Sequence, residues 1–461
     1  MKRRDFIKRT ALLAAATGVG EVMQASGKAE QSIMTAQDET AAKASPNAPL
    51  IASAPVLQNY ASTSIGVAFA VSALANGYVI YGERPDLSDG KKVKCGGFRV
   101  TDISDKVIHV RLTDLKPSTT YYYRIGADRI EYKGGYGMKV TGNEEDRNIY
   151  HFTTAGKQTT PHFCVINDTH VHWDTMDKLT EKIAALAPTC VIWNGDASNT
   201  QETIESQIDI FITPKITRKD YAAQTPYLFC PGNHDNRGFA NRHLERVWMY
   251  RQPEERLSRD WDLGRNFAVR IGDVALVGLD TAEDKMDTNP KFAGLFNSEA
   301  YRKAQTDWLK NALMQEEIAK APYLVAICHI PLFDPNPKHN PGDVAPDDYD
   351  PKYTTAYAEW QRTCARMWCP LLEKVGCQLV ITAHQHRYHY DAPTAERPWG
   401  HMVGGGPTLS TPDKPTKDYP TVMDAKVENG ELKITVYNIQ AGTVQDTQTF
   451  KPRKIKKVKF A

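Results

Sequence analysis

Five short polar blocks follow one another along the 461-residue chain: Asp168-Thr169-His170, Gly195-Asp196, Gly232-Asn233-His234-Asp235, a lone His329, and His384-Gln385-His386. They offer seven carboxylate, amide and imidazole donors (Asp168, His170, Asp196, Asn233, His329, His384 and His386), a set suited to two divalent ions such as Mn, Fe or Zn. The absence of thiolate from the set argues against softer metals. A single histidine or aspartate of this kind is by default a surface or core polar residue. Seven in ordered blocks call for chemistry.

The elements that must position these blocks are equally visible. Each block closely follows an apolar run: Phe163 to Ile166, Cys190 to Trp193, Tyr227 to Cys230, Tyr323 to Ile327 and Leu379 to Ile381. Short apolar runs bounded by turn residues predict buried strands. In an open α/β sheet, ligands gather beyond the carboxyl ends of the strands, so five strand ends would bring the blocks into one crevice. Helical spacing is expected over Met176 to Leu186, Glu202 to Ile212, Asn241 to Tyr250, Ser298 to Ile318 and Ala356 to Val375, and a hairpin over Phe267 to Asp280. Asn429-Gly430 predicts a second hairpin turn. The stretch from Asp334 to Tyr353 holds five prolines and reads as a stiff loop, with Asp347, Asp348 and Asp350 as solvated carboxylates or, alternatively, a calcium site.

The spelling and order of the blocks resemble the calcineurin-like metallophosphoesterases, whose pattern runs DxH, GD, GNH(D/E), H, GHxH. The resemblance covers roughly 161–450. It implies a four-layer β-sandwich flanked by helices and a dinuclear centre that hydrolyses small phosphate esters by in-line attack of a metal-bound hydroxide. By resemblance Asp196 bridges the two ions, Asp168, His170 and His386 complete one site, and Asn233, His329 and His384 form the other. His234 directly follows a ligand, so its ring can reach the substrate side and handle the proton of the leaving oxygen; otherwise it supports the Asn233 turn. Asp235 is expected to accept the His234 ring N–H as a second catalytic residue. Arg237 is the candidate phosphate contact, since a guanidinium matches phosphate oxygens. Phosphomonoesters are the expected substrates. The alternatives are a phosphodiesterase for nucleotides or lipid head groups and, more distantly, a non-catalytic surface-binding protein, which would predict missing ligands. None is missing. Ala383 stands where the family usually has glycine, and only a slight local shift is expected.

Upstream, strand-like alternation over 49–156 predicts an all-β sandwich. Leu115-Lys116-Pro117-Ser118-Thr119-Thr120-Tyr121 is similar to the fibronectin type III pattern LxPxTxY, in which the tyrosine closes a corner of the sandwich. Val79-Ile80-Tyr81-Gly82 resembles the matching piece of the purple acid phosphatases. Those enzymes place a tyrosine metal ligand three residues after the bridging aspartate. Here that position is Asn199, so the likeness extends to the architecture and not to the tyrosinate site.

Residues 1–29, with Arg3-Arg4 ahead of an apolar run from Ala11 to Gly20, resemble a twin-arginine export signal. The run is too short to span a bilayer, so no transmembrane anchor is expected and the destination would be the bacterial periplasm or the exterior. Residues 30–48 read as a linker and 451–461 as a basic tail. The first 29 residues carry six Lys/Arg against two Asp/Glu and the tail six against none, so the body lies near −8 although the whole chain is +2. Nothing in that balance suggests a nucleic-acid footprint. With 41% apolar and 24% charged residues, the composition is that of a globular protein. Of eight cysteines, Cys164, Cys190, Cys230 and Cys328 fall in predicted core strands, and Cys364, Cys369 and Cys377 are the better candidates for a disulfide.

Overall fold

The computed structural model describes residues 48–95, 103–250, 263–285, 287, 290, 294–295, 297–333, 359–455 and 457–460. The leader and the proline-rich stretch with its three aspartates lie outside the described residues. From Pro49 onward the chain forms one unit. Its amino-terminal part is β-rich: β1 (Val56–Gln58), β2 (Ile65–Ala70), β3 (Ala75–Gly82), β4 (Lys91–Lys94), β5 (Val107–Leu112), β6 (Thr120–Tyr132), β7 (Met138–Glu145) and β8 (Tyr150–Thr153). Next come β9 (His162–Ile166), β10 (Cys190–Asn194), β11 (Tyr227–Cys230), β12 (Phe267–Ile271), β13 (Val274–Leu279), β14 (Tyr323–Cys328), β15 (Leu379–Thr382), β16 (His389–Asp391) and β17 (Gly400–Val403). The last strands are β18 (Thr421–Glu428), β19 (Glu431–Asn438) and β20 (Thr443–Phe450). Helices α1 (Trp173–Leu186), α2 (Ile204–Phe211), α3 (Ser298–Met314), α4 (Glu316–Ala319) and α5 (Glu359–Lys374) lie between strands.

All five apolar runs that precede the polar blocks are strands, but they do not share one sheet. The strands β9, β10 and β11 lie in a nine-stranded sheet of order β20-β19-β18-β9-β10-β11-β1-β2-β5, whereas β14 and β15 lie in a six-stranded sheet of order β12-β13-β14-β15-β17-β16. The expectation of one open sheet is corrected accordingly: the crevice is the shared edge of two facing sheets. Side chains alternate across each strand, and the two faces go to different layers. Phe163, Val165, Cys190, Ile192 and Leu228 meet Leu276, Val325, Ile327, Leu379 and Ile381 in a core between the sheets. Their alternates Ile166, Val191, Trp193 and Phe229 pack against Met176, Leu179, Ile183 and Phe211 of α1 and α2. On the far side, Val277, Leu324, Ala326 and Val380 pack against Leu309, Leu313, Trp368 and Leu372 of α3 and α5. The result is four layers, helix on sheet on sheet on helix. Each such apolar side chain taken fully out of water contributes about 1.5–3 kcal/mol before conformational entropy is subtracted.

The amino-terminal strands are divided in the same way. A five-stranded sheet of order β4-β3-β6-β7, with β8 on β6, faces β1, β2 and β5, and those three continue the nine-stranded sheet through the parallel pairing of β1 with β11. Tyr121 closes its corner as the LxPxTxY spelling predicts: its hydroxyl accepts the Lys116 N–H at 3.0 Å. Two rings further on, the buried Tyr123 donates to the carbonyl of Ala223 at 2.6 Å, tying the sandwich to the loop before β11.

Three local expectations are corrected. The segment from Phe239 to Arg246 is 3₁₀ helix, interrupted at His243 by a non-helical backbone, rather than an α-helix reaching Tyr250. The helix expected over Ser298 to Ile318 is broken at Gln315, whose ψ of 134° is extended. All eight cysteines are buried thiols outside any disulfide, so no bridge joins Cys364, Cys369 and Cys377.

Candidate metal centre

The seven donors come together where β9, β10, β11, β14 and β15 end. Five of them, Asp168, His170, Asp196, His384 and His386, have φ between 43° and 69°. This left-handed backbone is uncommon for residues with a side chain and is found where surrounding structure holds it. It turns the chain back on itself directly after β9, β10 and β15, so residues two apart at a frayed strand end both aim into the crevice. Gly195 precedes Asp196 with φ of 76°. A methyl group there would press on the His329 ring, 2.6 Å from its Cγ and 2.7 Å from the Gly232 nitrogen, so only glycine fits.

Asp168, His170, Asp196 and His386 form one group of mutually close donor atoms, and Asp196, His329 and His384 a second. Asp196 belongs to both. Its Oδ2 lies 3.5 Å from His170 Nε2 and 3.2 Å from His329 Nε2, while its Oδ1 accepts the backbone N–H of His234 at 2.8 Å. Asn233 joins the second group through its Oδ1, 2.9 Å from His384 Nδ1. Asp168 is divided in the same manner. Its Oδ2 accepts from the Asn167 amide at 2.7 Å and the His384 N–H at 3.0 Å, leaving Oδ1 turned toward His386 Nε2 at 3.2 Å.

A bound cation fits this donor set. Asp168 Oδ1 and His329 Nε2 are buried without a hydrogen-bond partner, and such orphaned groups cost free energy. The Nε2 atoms of His170 and His386 face each other at 3.1 Å. The opposite ring nitrogens are held in place: His170 Nδ1 is 2.8 Å from Asn199 Oδ1, and His329 Nδ1 donates to the Asn194 carbonyl at 2.9 Å. Fixing the far nitrogen of an imidazole orients the near one for a metal. Without a cation the protons redistribute. Burial disfavours a charged His329, yet the Asp196 and Asp168 carboxylates outweigh it and push the ring up to about 10. Burial and the neighbouring His329 hold His384 down at about 4.

One expectation fails here. Asp235 does not touch the His234 ring; fully buried, it accepts the N–H of Gly232 at 2.9 Å and of Ala197 at 3.1 Å, clamping two of the polar blocks together. The physical reason is the 3₁₀ turn from His234 to Asn236, which sends consecutive side chains in different directions. His234 Nδ1 donates instead to the carbonyl of Asn199 at 2.8 Å. Arg237 is ion-paired. Its guanidinium makes a forked pair with Glu283, Nε to Oε2 at 2.9 Å and Nη2 to Oε1 at 2.7 Å, and meets Asp284 at 3.1 Å. Its remaining Nη1 lies 3.1 Å from His234 Nε2.

Sequence reasoning missed Glu283, Asp284, Asn194 and the part played by Asn199. Asn199 stands at the tyrosine position of the purple enzymes and positions two histidine rings at once. Glu283 and Asp284 follow the end of β13, the parallel neighbour of β14, so the polar run after Leu279 was a further strand-end signal. Burial pushes Glu283 up to about 7 against the pull of Arg237.

The family pattern of the calcineurin-like phosphoesterases matches residues 161–388. Residues 161–388 are a calcineurin-like phosphoesterase domain. No curated protein matches the chain by sequence. Among solved structures, a purple acid phosphatase from yellow lupin (Lupinus luteus) seeds is similar at a TM-score of 0.56 and 15% identity, covering 86% of this chain and 73% of that one. The structure of PhoD is similar at a TM-score of 0.54 and 12% identity, covering 89% and 94%. At such identities the likeness is one of fold. With the family match and the two donor groups, it makes the chain a metal-dependent phosphoesterase with a β-rich amino-terminal region. No helix among the described residues is long and apolar enough to cross a membrane.

Proposed function

We propose that this calcineurin-like phosphoesterase is an exported phosphomonoesterase with two divalent ions bridged by Asp196. The observation that carries this reading is the single oxygen, Asp196 Oδ2, within 3.5 Å of a histidine nitrogen from each donor group. Asp168, His170 and His386 would hold one ion, and Asn233, His329 and His384 the other. Two such ions screen phosphoryl oxygens and make water nucleophilic near neutral pH. Mn, Fe and Zn all suit these donors.

The protein's own part is to orient substrate and move a proton. His234 presents Nε2 to the crevice because Nδ1–H is spent on Asn199. In this reading Nε2 handles the proton of the leaving oxygen. Arg237, held by Glu283 and Asp284, is a positioning residue that points one N–H at the same nitrogen. Its charge is already balanced by carboxylates, which favours that role over gripping a phosphate. Export rests on the Arg3-Arg4 leader, a route that moves folded proteins and would let the ions load first.

Metal content and a paired screen test the proposal. Two transition-metal ions in the crevice, with p-nitrophenyl phosphate cleaved faster than bis(p-nitrophenyl) phosphate, are expected. Faster cleavage of the diester would replace the monoesterase reading with the phosphodiesterase one. A metal-loaded protein that cleaves neither would overturn both.

A further inference from the structure

A second histidine-carboxylate cluster stands apart from the seven donors, on the edge of the six-stranded sheet. His389 and Asp391 are two apart on β16 and so share a face. Across the ladder, Asp391 is the direct antiparallel partner of His401 on β17, which puts the third side chain on that face. Asp391 Oδ2 lies 3.1 Å from His401 Nδ1 and 3.5 Å from His389 Nε2.

We propose that His389, Asp391 and His401 form a further divalent-cation site, selective for zinc-like ions, with three protein donors and a fourth position open to water. Zinc bonds of about 2.0–2.2 Å in a tetrahedron set neighbouring donors about 3.3 Å apart, and the two distances above bracket that edge. The far ring nitrogens are held as in metal-bound imidazoles. His389 Nδ1 donates to the carbonyl of Arg387 at 3.3 Å, which leaves Nε2 as the lone-pair nitrogen toward Asp391. His401 Nε2 is 2.8 Å from Thr382 Oγ1, an oxygen able to take its proton and free Nδ1 for the ion. Arg397, a cation bordering the cluster, is committed elsewhere: it stacks on Phe333 at 3.9 Å and donates to the carbonyls of Trp399, Asp391 and Ala392. His401 is buried, while the side chains of His389 and Asp391 retain 22% exposure each, enough for an ion to enter. An ion here would lock β16 onto β17. Because β16 begins three residues after His386, it would also stiffen the loop that carries His384 and His386.

The test uses the full chain, stripped with a chelator, titrated with zinc alone and assayed for bound metal after gel filtration. Asp391→Ala and His389→Ala should each bind one zinc fewer than the parent. Asp196→Asn should keep this zinc while losing metal from the crevice, and the Asp196→Asn, Asp391→Ala double variant should lose both. That separates failure of this site from failure of the dinuclear reading. The proposal is overturned if folded His389→Ala and Asp391→Ala both bind as much zinc as the parent, the outcome expected of a purely hydrogen-bonded His-Asp-His cluster. Should Asp391→Ala fail to fold, as circular dichroism would reveal, His389→Ala decides alone.

Discussion

Gly195→Ala is the most discriminating perturbation of the crevice, because it changes one methyl group and its cost divides into parts. The first part is backbone. Gly195 has φ of 76°, and alanine in the left-handed region costs about 1–2 kcal/mol. The second is steric: the added carbon presses on the Nδ1 edge of the His329 ring and lies 2.6 Å from its Cγ. Overpacking of this kind costs roughly 1–3 kcal/mol, so the total is roughly 2–5 kcal/mol. Neither the ring nor the Gly232 nitrogen at 2.7 Å can yield without moving a proposed ligand. The variant is therefore expected to lose metal from the His329 site as well as stability.

Gly430→Ala supplies the control. Gly430 has φ of 75° in the β18–β19 turn, and a methyl group there meets nothing within 4 Å. It should cost only the backbone part, about 1–2 kcal/mol, and leave metal content unchanged. Chemical denaturation of both variants, with elemental analysis of the purified proteins, makes the comparison. Equal stability and equal metal content in the two would refute the claim that His329 is seated against Gly195.

Three further outcomes are expected. His234→Asn should keep both crevice ions and lose about 10²-fold or more in turnover, the low end of what a positioned proton-transfer group contributes; turnover equal to the parent would remove His234 from the chemistry. Tyr121→Phe should lower stability by about 1 kcal/mol through the lost Lys116 bond, with kcat unchanged, and a variant as stable as the parent would show the corner to be unimportant. Burial holds His109 neutral in the fold, down at about 4, while the unfolded chain protonates near 6.5. Its contribution is therefore complete above pH 6.5 and lost as pH falls toward 4, at most about 3 kcal/mol in all. Denaturation midpoints of the parent and His109→Gln should diverge above pH 6.5 and converge at pH 4, and parallel pH profiles would contradict this.

How far the sequence discloses this structure depends on which interaction places each residue. Apolar runs report burial, so β9, β10, β11, β14 and β15 were legible to within a residue or so at each end. Which sheet they join was not, because a run buried on both faces looks the same in either sheet. Asn429-Gly430 was legible because its turn demands positive φ at both residues, and they have 52° and 75°. The expected long helix after Asn297 hid the break at Gln315, since glutamine is a good helix former and nothing local announces an extended ψ. Position outside the core strands suggested a bridge near Cys364, whereas packing put that thiol with Trp368 and Leu372 in an apolar layer.

The site divides along the same line. Residue type and order disclosed the donors, because metal ligation restricts both. What holds the donors is written in no motif. Asp235 could equally have served the His234 ring or the backbone, and the tight turn after Asn233 decided for the backbone. Asn199 looked like an absent ligand; in the fold its amide and carbonyl anchor the rings of His170 and His234. Five left-handed backbones in one crevice cost roughly 5–10 kcal/mol together, comparable with the net stability of a whole domain. Hydrogen bonds to Asp235 and Asn194 and from Asn167 offset part of that cost, and cations between Asp168 Oδ1 and His329 Nε2 would offset more. Strain of this size is maintained where it aims groups that a relaxed strand end would leave pointing apart, which is why the crevice, rather than any cavity elsewhere, is where the chemistry belongs.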